Sequence, residues 1–253
     1  MSEQHYVYKI VLDEEPESPR EWDNLGTMCC WHRRYSLGDV QPECDTQEYL
    51  ADLIGWDDEK QEAVYDYWFN RAEGSDEERH TTARNKLEER VAEEFDRLFI
   101  SLQIYLYDHG SITINTSGYS CPWDSGQLGL IYVSKEKVRQ EYGIKHVTKA
   151  WEDKIQGYLD QEVQVYDQYL TGDVWGFQVF EVPEGVDPEE LGEEEIEALE
   201  EVESCFGFFG EDAAEEEAKA NLAYYEERHS ERLFKRQQAE YRAAGQQELP
   251  LAA

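Results

Sequence analysis

Residues 98–107, LFISLQIYLY, decide how this chain folds, because the hydrophobic period changes there. Upstream, Leu87, Val91 and Phe95 recur at every fourth position, the spacing of one helical face. From Leu98 onward apolar residues fall at alternate positions, the period of a strand. His109-Gly110 then supplies a turn, and residues 111–117, SITINTS, return along it as a hairpin. Residues 128–133, LGLIYV, read as a third strand that would complete a meander.

Residues 6–12, YVYKIVL, have the β-branched and aromatic content of a strand. So do residues 174–182 and 202–209. Helices are expected at 46–54 with Thr46 as cap, from Asp57 or Asp58 to Ala72, and at 81–96. A short helix over 135–142 should be capped by Ser134 and stopped by Gly143. Longer ones are expected at 148–170 and 212–243. Residues 22–39 read as irregular. The sum is an α+β fold: an antiparallel sheet of about five strands, segregated helices and a long C-terminal helix. We expect a single domain over 1–244, interrupted by an acidic insertion at 183–201, and a flexible tail at 245–253.

Fifty-eight Asp and Glu against 23 Lys and Arg give the 253 residues a formal net charge of -35. Such a field repels nucleic acid and anionic membrane and attracts basic protein surfaces. Aromatics at 13 % are too plentiful for a disordered acidic tail, so the acid should decorate a folded body. Between residues 181 and 217 there are 17 acidic residues and no Lys or Arg. Glu193, Glu194, Glu195, Glu197, Glu200 and Glu201 lie at its centre and are the expected partner-binding carboxylates. The five cysteines are scattered, residues 1–5 lack the basic and apolar regions of a signal peptide, and no stretch approaches a membrane span. We therefore expect reduced thiols in a cytoplasm.

Chemistry-bearing motifs are sparse. Cys29, Cys30, His32 and Cys44 lack the two half-sites of structural zinc, and no acidic cluster has the ligand spacing of a calcium loop. Neither a metal nor another cofactor is expected. The chain has no nucleophile elbow, P-loop or dinucleotide fingerprint. Two turns share a scheme: Trp22-Asp23-Asn24-Leu25-Gly26 and Trp123-Asp124-Ser125-Gly126. Each sets an aromatic anchor and a side-chain acceptor before Gly, with Asp or Asn able to bond the backbone N–H two residues on. Both are readable as plain turns. They are also readable as two walls of one pocket, lined by Arg20, His32, Arg33 and Arg34, unless those cations hold acidic loops in place. Gln246, Leu249 and Leu251 form Q-x-x-L-x-L, which resembles the peptides by which bacterial replication proteins dock on a sliding clamp.

Residues 18–39, SPREWDNLGTMCCWHRRYSLGD, and 121–143, CPWDSGQLGLIYVSKEKVRQEYG, resemble motifs of an uncharacterised family of phage and mobile-element proteins. Residues 172–177, GDVWGF, and 204–210, SCFGFFG, are similar to the same family. The resemblance carries no catalytic assignment and implies a setting, a phage or plasmid product in a bacterial cytoplasm. With the charge, it leads us to expect a non-enzymatic inhibitor that mimics nucleic acid and blocks a host DNA-handling protein of restriction or CRISPR type. The competing readings are a small-ligand-binding protein or enzyme built on the two W-D loops, a clamp-docking replication accessory, and adaptation to high salt.

Overall fold

The period change at Leu98 marks the handover from a helix to a strand. The computed structural model describes residues 5–243, and the side chains of 5–240. Helix α3 runs Asp76–Leu98 and strand β3 follows at once as Phe99–Asp108. Two further strands join it, β4 (Ile112–Asn115) and β5 (Ser125–Ser134). Gly110, at φ 87°, makes the β3–β4 turn that a side chain would strain. The expected meander is corrected: β5 pairs with β3, so β3 lies between its two neighbours. Strand β2 (Thr27–Cys30), in the segment read as irregular, completes the order β2-β5-β3-β4, all antiparallel.

The expected single sheet of about five strands is replaced by two sheets, and the chain divides into two compact units. One unit is Ser18–Thr171, with the four-stranded sheet. The other is Met1–Glu17 with Gly172–Ala253. Its three-stranded antiparallel sheet has the order β1-β6-β7, from β1 (Tyr6–Leu12), β6 (Val174–Glu181) and β7 (Glu200–Phe209).

In the Ser18–Thr171 unit, helices cover both faces of the sheet rather than one. α4 (Lys135–Tyr142) and α5 (Lys149–Thr171) place Val138, Ile155, Leu159 and Val163 against Met28, Ile104, Ile114 and Ile131. On the opposite face Phe95 of α3, with Tyr49 and Leu50 of α1 (Thr46–Leu53), packs on Leu130 and Tyr132. α2 (Asp58–Phe69) packs alongside α3. This double cover explains why β5 is apolar without alternation: residues 128–133 are all buried. The adjacent Cys29 and Cys30 divide between the two faces, as strand geometry requires.

Gly129 of β5 faces Cys29–Cys30 so closely that a Cβ there would lie 1.9 Å from the Cys29 carbonyl oxygen. Gly129→Ala is therefore expected to push β2 off β5 and cost about 1–3 kcal/mol by overpacking, read as a lower urea midpoint. Cap chemistry explains other boundaries. Asp45, not Thr46, caps α1 by accepting from Glu48 N–H. α3 starts five residues earlier than its apolar spacing suggests, because Ser75 and Glu78 form a reciprocal capping box.

In the second unit, α7 (Glu211–Ala243) lies on one face of the three-stranded sheet. The buried, small Ala214 and Ala218 allow close approach, and Ala218, Leu222 and Tyr225 meet Tyr6, Phe177 and Val179. Glu226 accepts from the His5 and Tyr6 N–H groups at 2.6 and 2.9 Å. The acidic insertion is the β6–β7 connection, containing a short helix, α6 (Glu193–Glu197). Among the described residues no helix is long and apolar enough to cross a membrane.

Candidate functional site

Arg20 was a candidate pocket wall; in the fold it is an internal counter-charge. Its side chain is only 6 % exposed. Nε and Nη2 grip Asp39 at 2.9 and 2.5 Å, Nη1 reaches Glu162 at 2.9 Å, and Nη2 also donates to the Gly26 carbonyl at 2.9 Å. Both carboxylates accept backbone donors as well. Asp39 takes Met28 N–H at 2.7 Å, and Glu162 takes Leu25 and Gly26 N–H at 3.0 Å each. Desolvation works against the Arg20 charge, but the two carboxylates outweigh it and raise its pKa further.

The same network fixes the first W-D turn. The Asn24 side chain does not accept from a backbone N–H as expected; it donates to the Pro19 and Trp22 carbonyls at 2.8 and 3.1 Å. Lys137 then clamps the Asn24 and Leu25 carbonyls at 3.0 and 2.9 Å.

The structure does not bring the two W-D turns together. Gly26 leads into Thr27, which pairs with Tyr132, whereas Gly126 pairs with Leu106 near the start of β5. The turns thus sit at opposite ends of one strand, roughly 20 Å apart at strand rise. The two-walled pocket is corrected to two separate clefts. Trp22 and Asn24 line an aromatic cleft of about 340 Å³ with Pro19, Tyr142, Tyr158 and Val165. Trp123 and Asp124 line a polar one of about 410 Å³ with His32, Arg34, Asp108 and Gln127. Asp23 and Arg33 are exposed and line neither.

The polar cleft is built by a bulge. Ile104 pairs with Gly129 and Tyr105 with Gln127, so Leu128 is the extra residue and re-aims the strand beside the Trp123 turn. The turn is held by Asp108 N–H donating to the Asp124 carbonyl at 2.9 Å and by Ser125 Oγ donating to the Cys121 carbonyl. Asp124 Oδ2 lies 3.4 Å from His109 Nδ1 and 3.6 Å from Cys121 Sγ. Arg34 pairs with Asp108. His32 Nδ1 accepts from Arg34 and Tyr35 N–H at 3.3 and 3.1 Å, which puts its proton on Nε2. The partner of Cys121 is thus a carboxylate rather than the imidazole of a paired thiol nucleophile.

Cys29 and Cys30 are fully covered, and burial pushes both thiols up to about 12. They are neutral at physiological pH, and a thiol reagent at pH 8 is expected to reach exposed Cys205 in the folded protein but Cys29 and Cys30 only after unfolding. Between 9.0, the ordinary thiol value, and about 12 only the unfolded chain ionises at these positions, so stability falls as pH rises through that window. A pH series of unfolding midpoints checks the sign. Among the described residues no cluster of three or more His, Cys, Asp or Glu is placed to hold a metal ion.

The six expected partner-binding glutamates fall on α6 and the first residues of β7, and all are exposed. Glu195 closes the α6 cap onto Gly192 N–H at 2.9 Å, and Glu201 accepts from Gln178 at 2.7 Å. Of the 17 carboxylates between 181 and 217, 16 are exposed and Glu215 is half-buried. Of these 17, all among the described residues, only Glu197, with Lys9, and Glu215, with Lys219, form ion pairs. The clamp-like Gln246, Leu249 and Leu251 lie outside the described residues. No protein-family model, curated protein or solved structure matches the chain.

Proposed function

We propose that this protein is a non-enzymatic acidic inhibitor that occupies the nucleic-acid groove of a basic, DNA-handling host protein. The observation that carries the reading is the uncompensated acid of the β6–β7–α7 segment: 17 carboxylates, 16 of them exposed and two paired with lysine. The charge is also uneven. The unit of residues 1–17 and 172–253 holds 28 acidic and seven basic residues, whereas 18–171 hold 30 and 16. Adaptation to salt would spread acid evenly over both units, while a partner surface concentrates it.

The density of acid along the chain suits a duplex: 17 phosphate charges occupy about 29 Å of DNA at one per roughly 1.7 Å, and the 17 carboxylates fall within residues 181–217, three of them, Glu200, Glu201 and Glu203, on the first half of β7. The motif resemblance supports a phage setting in a bacterial cytoplasm.

The test is retention of host proteins on the immobilised chain at low ionic strength. Nucleic-acid-binding proteins should be retained and then released by added duplex DNA. Retention of proteins that duplex DNA does not release would overturn the reading.

A further inference from the structure

We propose that the polar cleft at the Trp123 turn is a binding site for a neutral saccharide. This does not rest on the inhibitor reading, which uses the other unit. Trp123 is 91 % exposed, yet its turn is tied down by two backbone-directed hydrogen bonds. A large apolar ring held out in water beside a cavity of about 410 Å³ is a platform awaiting a partner with an apolar face.

The polar groups around it define that partner. Asp108 and Asp124 each spend Oδ2 on the protein, and neither Oδ1 has a partner among the described residues. Gln127 donates its amide to Gln103 and keeps its carbonyl oxygen as a spare acceptor. His32, bonded at Nδ1, keeps an Nε2–H donor, and Arg34 has guanidinium N–H groups beyond the one on Asp108. Acceptors and donors therefore interleave around an aromatic face. Hydroxyl groups, which both donate and accept, match this set, and the C–H face of a pyranose matches the indole.

Charged ligands fit less well. An anion meets two carboxylates and the net charge of -35. A cation meets the Arg34 guanidinium, which stands beside Asp108 in the same cleft. The base of a nucleotide would stack on Trp123 equally well, but the nucleotide's phosphates carry the wrong charge.

The full chain should be titrated with three neutral probes, maltotriose, cellotriose and N,N′,N″-triacetylchitotriose, and with adenosine and arginine, by saturation-transfer NMR and calorimetry. Saturable binding of at least one saccharide is expected, weakened about ten-fold or more by Trp123→Ala, since one lost stacking platform is worth a factor of that order. Asp124→Asn should weaken it too, and Trp22→Ala, in the other cleft, should not. Trp123 is so exposed that its alanine variant should fold, which an unchanged circular dichroism spectrum will verify. Saturation by none of the saccharides at about 10 mM, an affinity too weak to be specific, would overturn the proposal. So would binding unaffected by Trp123→Ala, or adenosine or arginine binding more tightly than every saccharide.

Discussion

Arg20→Ala is expected to destabilise the unit of residues 18–171 by about 3–5 kcal/mol, because it strips the counter-charge from two partly buried carboxylates. Asp39 and Glu162, at 23 and 15 % side-chain exposure, would then face each other's surroundings without a cation. Their backbone bonds to residues 25, 26 and 28 would hold two unneutralised charges in place. At roughly 2–4 °C per kcal/mol for a unit of this size, the melting temperature should fall by about 10 °C. Arg20→Lys should recover little, since an ammonium cannot span Asp39 in a two-pronged grip and reach Glu162 as well. Urea unfolding followed by tryptophan fluorescence checks both. A loss below about 1 kcal/mol, the level of an exposed pair, would mean that the network is solvated and that the turn is held by packing alone.

That network shows where sequence reading runs out. Asp39 and Glu162 are separated from Arg20 by 19 and 142 residues, and no local pattern links them. An arginine near a W-D turn was therefore open to the opposite reading, as pocket lining. The two turns share chemistry because each must bend the chain beside an aromatic residue, but turn chemistry is silent about which end of a strand a turn occupies. The register of β5 decides that.

Strand pairing was hidden for the same reason. Tyr6 pairs with Glu181, so β1 leaves the sheet that its neighbours in sequence enter. β2 went unread because TMCC is four residues long and has no alternation. Periods longer than this were legible: the helix-to-strand change at Leu98, the Gly110 hairpin turn, and the Gly143 stop of α4 at φ 63°. The start of α3 was legible too, in Ser75 and Glu78, but apolar spacing alone pointed to Thr81. Exposure of the acidic run could be read directly, since carboxylates without cations have nowhere to go but water.

The Glu193→Gln, Glu194→Gln, Glu195→Gln triple variant should bind its target about ten-fold or more weakly, at a fraction of a kcal/mol to about 1 kcal/mol for each exposed charge pair lost. Glutamine keeps the shape and polarity of the side chains, and Glu195→Gln can still accept from Gly192 N–H at the α6 cap. Fold stability should be unchanged or slightly higher, because three repelling charges leave a helix with no basic residue. Binding and thermal unfolding of the same preparation separate the two effects. Equal affinity with the three side chains neutral would remove α6 from the partner surface.

Mimicry puts carboxylates where phosphates would stand in a basic groove. It is tested most directly by the affinity of the wild-type protein for its retained target across a salt series, with and without competing duplex DNA. A steep linear fall of log affinity with log salt concentration is expected, with competitive displacement by duplex. An affinity that is flat in salt and indifferent to duplex would contradict it.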